Sequence, residues 1–256
     1  MPALFDMDLR ALRRDRAART GVELFLYERA FADCLERLAL LSRRFARVLL
    51  IGCPDPGWAE RLEASAEHVD VRDPGPLFAA RAGGDVVIED IWSPPAAAYD
   101  LVVAVGTLDT VDNLPLALRL IRAAMRSDAF LLGAMAGGDN LPQLRAAMRA
   151  ADAASGVATP HVHPRIEASA LAPLLTEAGF INPVVDIDRV EAAYPTLGRL
   201  VSDLRGMGAT NILTQRSGPL TRSAARAAEA AFAEAAREGR TREIFEILHF
   251  AAWTPP

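Results

Sequence analysis

Val48 to Ile51, Asp100 to Val105 and Phe130 to Met135 are short, almost wholly apolar runs, each followed by a turn and a segment of helical period. Runs of this kind suit strands buried on both faces of a parallel sheet, and parallel neighbours must be joined by crossovers, usually helices. Between the first two runs, His68 to Asp73 reads as a second strand and Val86 to Asp90 as a third. The intervening helices are Trp58 to Ala66, Leu114 to Met125 and Leu141 to Asp152. The alternation predicts an α/β fold with right-handed crossovers and helices on both faces of a mostly parallel sheet.

The last third changes character. Val184 to Val190 and Ile244 to Trp253 read as two strands, with helices at Thr196 to Met207 and Leu220 to Glu238 between them, and a closing antiparallel pair fits. Ahead of the first strand, Glu23 to Arg43 carries Leu24, Tyr27, Phe31, Cys34, Leu35, Leu38 and Leu41 at steps of three and four, the spacing of a helix packed on a sheet face. Arg10 to Arg19, with Asp6, Asp8 and Asp15 within or beside it, reads as a solvated helix rather than a transit peptide. A length of 256 residues without a compositional break predicts one domain: a helical segment 1–45, a cofactor-binding half 46–136 and a substrate-side half 137–256.

Charge and residue usage exclude several functions. A net charge of -5 argues against a general nucleic-acid platform, which needs a positive surface. Every basic residue is arginine, so chemistry that needs a lysine Schiff base or a phosphate-loop lysine is ruled out. No run is long and apolar enough for an integral membrane segment, and the expected location is cytoplasmic. Cys34 and Cys53 lack the spacing of a metal or disulfide framework and read as buried thiols; no resident metal is expected.

In a doubly wound sheet the ligand lies beyond the carboxyl ends of the strands, where the first strand-to-helix turn lets backbone approach the cofactor. Gly52, Cys53 and Gly57 occupy that turn. Asp73, ending the second strand, is placed to accept from both ribose hydroxyls, and Glu89 or Asp90 from an adenine amino group. Val105 ends the fourth strand beside them. Each signal alone has a structural explanation, because glycines punctuate turns and acids cap solvated strand ends; their joint order favours an adenosine-type site. Neither a phosphate loop nor the full dinucleotide fingerprint is present.

From Phe130 onward the resemblance becomes specific. Gly133-Ala134-Met135, Gly137-Gly138-Asp139, Leu144-Arg145, Pro160-His161, Glu177-Ala178-Gly179-Phe180, Asp186 with Asp188, Tyr194-Pro195, and Asp203-Leu204 running into Gly206-Met207-Gly208 form a matching series. On these the chain resembles the complex I assembly factor 5 family, a branch of the class I methyltransferases related to the malonyl-carrier-protein methyltransferases. The resemblance extends more weakly from Phe5-Asp6 to Trp253. It implies a Rossmann-like class I methyltransferase fold with seven strands, S-adenosylmethionine as cofactor, and a protein substrate belonging to respiratory complex I, on which the family hydroxylates an arginine.

The first loop departs from the family. Leu50 stands at the usual acid, and Pro54 at the second glycine of the acid-x-Gly-x-Gly-x-Gly pattern, with Pro56 close by. A proline has no backbone N–H to donate, and without the acid a favourable charge for the methionine ammonium is gone. Two rival functions follow: methyl transfer to a protein, or a non-catalytic assembly chaperone that kept the fold. A third, hydroxylation, draws on His161 and His163 with Asp186 and Asp188 as metal ligands, although the simpler reading has His161 hydrogen-bonded to a loop and the aspartates on a solvated face. Gly137 to Asn140 reads as a turn with Asp139 or Asn140 as N-cap, and Met207 either closes a helix or, if exposed, touches a substrate. No catalytic residue is assigned by the sequence.

Overall fold

The computed structural model describes residues 3–41, 43–216 and 218–256. Its sheet contains β1 (Phe45–Ile51), β2 (Ala66–Asp73), β3 (Asp85–Val86), β4 (Tyr99–Val105), β5 (Met125–Ala136), β6 (Ile181–Tyr194) and β7 (Thr241–Trp253). The order across it is β3-β2-β1-β4-β5-β7-β6. The pairs β1–β2, β1–β4, β2–β3 and β4–β5 are parallel, while β7 runs antiparallel to both β5 and β6, as the closing pair in the sequence predicted.

The apolar runs are buried on both faces because side chains alternate across the sheet. Leu49, Ile51, Val102 and Ala104 enter one core layer, whereas Val48, Leu50, Leu101 and Val103 enter the other. The first layer packs under α5 (Leu114–Ala124) and α7 (Ala168–Glu177), and the second under α2 (Phe25–Ala39) and α3 (Gly57–Glu63). A third cluster joins α6 (Pro142–Ser155), α8 (Leu197–Gly206) and α9 (Arg222–Glu234). The helix predicted over 23–43 ends at Ala39, and Ser42 lies outside the described residues.

Several expectations need correction. The third strand is only two residues long, so Glu89 and Asp90 sit in the turn after it, where the Ile88 carbonyl accepts from the N–H groups of Ile91 and Trp92. Two helices escaped the pattern: α4 (Pro76–Arg81), a short element opened by proline, and α7, which tolerates Pro173 inside it. Neither Asp139 nor Asn140 caps α6. Leu141 holds the N-cap with a left-handed backbone, and the Glu243 carboxylate on β7 accepts from the N–H groups of Gln143 at 3.1 Å and Leu144 at 2.8 Å. Met207 is buried, and its carbonyl accepts from the Tyr27 hydroxyl at 3.0 Å.

The largest departure is α1 (Met7–Thr20). Its arginine-rich sequence predicted a solvated helix, yet Arg10 and Arg14 are 3% and 5% exposed. Four residues apart, they lie on one face, and that face is turned into the protein. The helix is held in place by further contacts: Asp6 caps its start, Leu4 and Phe5 donate to Asp112, and Asp15 accepts from the Leu77 N–H.

Candidate functional site

The site forms where β1, β2 and β4 end. Gly52 leaves β1 with φ +85°, a backbone that an L side chain rarely adopts, and a Cβ there would run into the Val105 carbonyl and the Thr107 side chain. The tight turn brings the Cys53 N–H to 2.8 Å from Asp73 Oδ2, while the Gly75 N–H reaches Oδ1 at 2.6 Å. Sequence order thus places Gly52, Cys53, Asp73 and Val105 together.

Two guanidiniums of α1 complete the cluster. Arg14 binds Asp73 through both oxygens, Nε to Oδ1 at 2.8 Å and Nη2 to Oδ2 at 2.5 Å. Arg10 binds Glu89 in the same forked manner, at 2.7 and 2.9 Å, and also donates to the Thr107 carbonyl at 2.7 Å. Both acids are fully buried. Burial pulls the Arg14 pKa down, but the charge and hydrogen bonds of Asp73 outweigh it and leave the group above its ordinary value. The approach is shaped by small residues: a Cβ on Gly75 would lie 2.7 Å from Arg14 Cβ, and one on Gly208 would lie 3.2 Å from Arg14 Cα. Phe78 supplies a ring face 5.1 Å from the Arg14 guanidinium carbon.

The other predicted residues lie around this cluster with different partners. Asp90 accepts from the Asn113 N–H at 2.9 Å and is buried. Gly57 opens α3 and donates to Asp55 at 2.9 Å. Trp58 stacks on Phe31 at 4.2 Å in the core and donates its indole N–H to Glu28. The thiols of Cys34 and Cys53 are both pushed up to about 12 by burial.

Beside the cluster, beyond the ends of β4 and β5, lies a small cavity of about 80 Å³ bordered by Tyr27, Val105, Asn140, Arg165 and Glu246. Tyr27 covers Gly106, whose φ of +67° and missing side chain leave room for the ring. Arg165 pairs with Asp109, and Glu246 with Arg189 at 3.2 Å. The Asn140 Oδ1 is buried without a hydrogen-bond partner.

His161 bonds Asp152 at 2.8 Å, and His163 Nε2 accepts from the Ile212 N–H at 2.9 Å. Asp186 and Asp188 pair with Arg37 at 2.8 Å and Arg29 at 2.5 Å. Each of the four is thus engaged with a partner of its own. Among the described residues no three His, Cys, Asp or Glu side chains converge as a metal-binding group.

The sheet order, the glycine turn after β1 and the acid ending β2 define a class I methyltransferase fold. A family profile described as a methyltransferase domain matches residues 24–182, and the chain belongs to that family. It is 31% identical to the mouse protein named arginine-hydroxylase NDUFAF5, mitochondrial, over 98% of this chain and 77% of that protein. With malonyl-[acyl-carrier protein] O-methyltransferase of Laribacter hongkongensis it shares 28% identity over 94% of this chain and 87% of the relative. Among solved structures, N-methyltransferase NodS from Bradyrhizobium japonicum in complex with S-adenosyl-L-homocysteine aligns with a TM-score of 0.53 at 15% identity, over 98% of this chain and all of that one. The YcgJ protein from Bacillus subtilis aligns at 0.60 and 9% identity, over 88% of this chain and 99% of that one. These structural likenesses carry the fold.

The fold's cofactor can be tested against the residues here. A ribose hydroxyl needs a free acceptor at Asp73, and all four donors to that carboxylate are already protein groups. Glu89 is likewise engaged through both oxygens. With α1 seated, Asp73 has no free acceptor left for a ribose hydroxyl.

Proposed function

We propose that this chain is a protein-directed assembly factor of respiratory complex I, built on the methyltransferase fold and working without bound S-adenosylmethionine. The observation that carries the reading is the pair of buried ion pairs, Arg14 with Asp73 and Arg10 with Glu89, which fills the acid end of the adenosine site from within the chain. A cofactor would have to displace two desolvated, forked guanidinium–carboxylate contacts before making its own. Leu50, Pro54 and Pro56 in the first loop support the same reading, since they remove one carboxylate and two N–H donors. The partner class rests on likeness to the NDUFAF5 proteins over nearly the whole chain.

Methyl transfer to the same protein partner is the second reading, favoured by the survival of Asp73, Glu89 and Asp90 at the strand ends. It requires α1 to withdraw. The test of the assembly role is the amount of assembled complex I in cells lacking this chain, resolved on native gels. The role predicts a deficit restored by the wild-type chain and by variants in the first loop; normal complex I in the deletion strain would refute it.

A further inference from the structure

A second concavity, sharing Leu141, Arg165, Leu204 and Ala209 with the first, lies between α6, α8 and α9 with a volume of about 380 Å³. Its walls are aliphatic: Leu144 and Met148 from α6, Leu197, Val201 and Leu204 from α8, and Ala228 from α9. The only rings among its described lining residues are the imidazoles of His161 and His163, both already hydrogen-bonded. Such walls suit a flexible hydrocarbon chain better than a stacked ring.

Unmatched positive charge stands at and beside the rim. Arg205 and Thr210 line the cavity, and Arg13 of α1 donates to the Thr210 hydroxyl. Among the described residues, Arg13, Arg16 and Arg205 have no carboxylate within ion-pairing distance, and the Arg13 Nε is buried with no acceptor. Burial, then the charges of Arg216, Arg16 and Arg205, hold the Arg13 pKa below its ordinary value, so the neighbours repel one another more than Asp6 relieves them. Glu229 is the single carboxylate among the described lining residues, and it is exposed. In a chain of net charge -5, uncompensated arginines beside an aliphatic cavity call for an anion.

We propose that this cavity binds an acyl or alkyl chain whose carboxylate or phosphate head is held by Arg13 and Arg205. The site is separate from the adenosine acids and stands whether or not the chain serves complex I.

The test is titration calorimetry of the full chain, below micelle-forming concentrations, with laurate, dodecyl phosphate, dodecanol and inorganic phosphate. Saturable binding is expected for laurate or dodecyl phosphate, the tighter of the two naming the head group. Dodecanol and inorganic phosphate should each bind at least about tenfold more weakly. The double variant Arg13→Ala/Arg205→Ala should also lose about tenfold or more. Val201→Trp, which fills the cavity, should abolish binding, with Met148→Trp as the alternative if circular dichroism shows that the first variant is misfolded. Failure of both charged amphiphiles to bind, equal affinity for dodecanol, or unchanged affinity in the arginine variant would overturn the proposal.

Discussion

Replacing Arg14 by alanine tests the seating of α1 most sharply. Asp73 is fully buried and accepts four hydrogen bonds, two from Arg14 and one each from the Cys53 and Gly75 N–H groups. The substitution removes the one positive charge bonded to that carboxylate among the described residues and leaves a buried anion on two backbone donors. Breaking one side of a buried pair costs about 3–5 kcal/mol. For a chain of this size each kcal/mol moves the midpoint by about 2–4 °C, so Arg14→Ala should melt about 6–20 °C lower. Urea unfolding followed by circular dichroism supplies the free energy, with Arg242→Ala as the exposed control. Arg242 pairs with Glu191 at 2.8 Å, but the side chains are 62% and 53% exposed, and screening should hold its effect to about 1 kcal/mol or less. Pairing Arg14→Leu with Asp73→Asn should cost less than the sum of the single changes, because the two side chains share one interaction. A loss no larger than that of the Arg242 control would show that the contact is not a desolvated pair.

Other expectations follow from the same geometry. Cys34 and Cys53, pushed up to about 12 by burial, should resist iodoacetamide at pH 8 in the native protein and react once it is unfolded in guanidinium; rapid native labelling would contradict their burial. His163 is held down to about 3 by burial and then by Arg165, Arg13, Arg145 and Arg10, so it stays neutral when folded while the unfolded chain protonates near 6.5. Its stabilising contribution is therefore present above pH 6.5 and is lost as the pH falls from there toward about 3, at about 1.4 kcal/mol per pH unit. The dependence of unfolding free energy on pH between 5 and about 6.5 should flatten in His163→Gln; an unchanged slope would place the proton elsewhere. In Gly133→Ala the new methyl would press on the Phe250 ring and the Ala104 carbonyl in the sheet core, with an expected cost of about 1–3 kcal/mol measured by urea unfolding. Glu243→Ala strips the carboxylate from the start of α6 and should cost about 1–2 kcal/mol in the same assay.

The sheet was legible because its central strands are buried on both faces and so read as unbroken apolar runs. Their order placed Gly52, Asp73 and Val105 at one end of the sheet. The engagement of Asp73 and Glu89 was not legible. Arg10 and Arg14 have the four-residue spacing of any charged helix face, arginines are rarely buried, and their partners stand 79 and 59 positions away. The one available hint was the crowding of arginine in a segment whose nearest acids cannot match it all. Val184 to Val190 falls short of β6 because β6 is an edge strand with much of its length exposed, so its apolar alternation is weak. The cap on α6 was misplaced because Glu243, its acceptor, comes from β7, about a hundred residues away.

Calorimetric titration of S-adenosylmethionine and S-adenosylhomocysteine into the wild-type chain shows whether Arg10 and Arg14 keep an adenosine off Asp73 and Glu89. With both acids held by the arginines, no saturable heat is expected at millimolar ligand and no change in melting temperature. Saturable binding abolished by Asp73→Ala would contradict it: a ligand at about 100 times its dissociation constant adds about 2.7 kcal/mol, a shift of several degrees that closed acids could not produce.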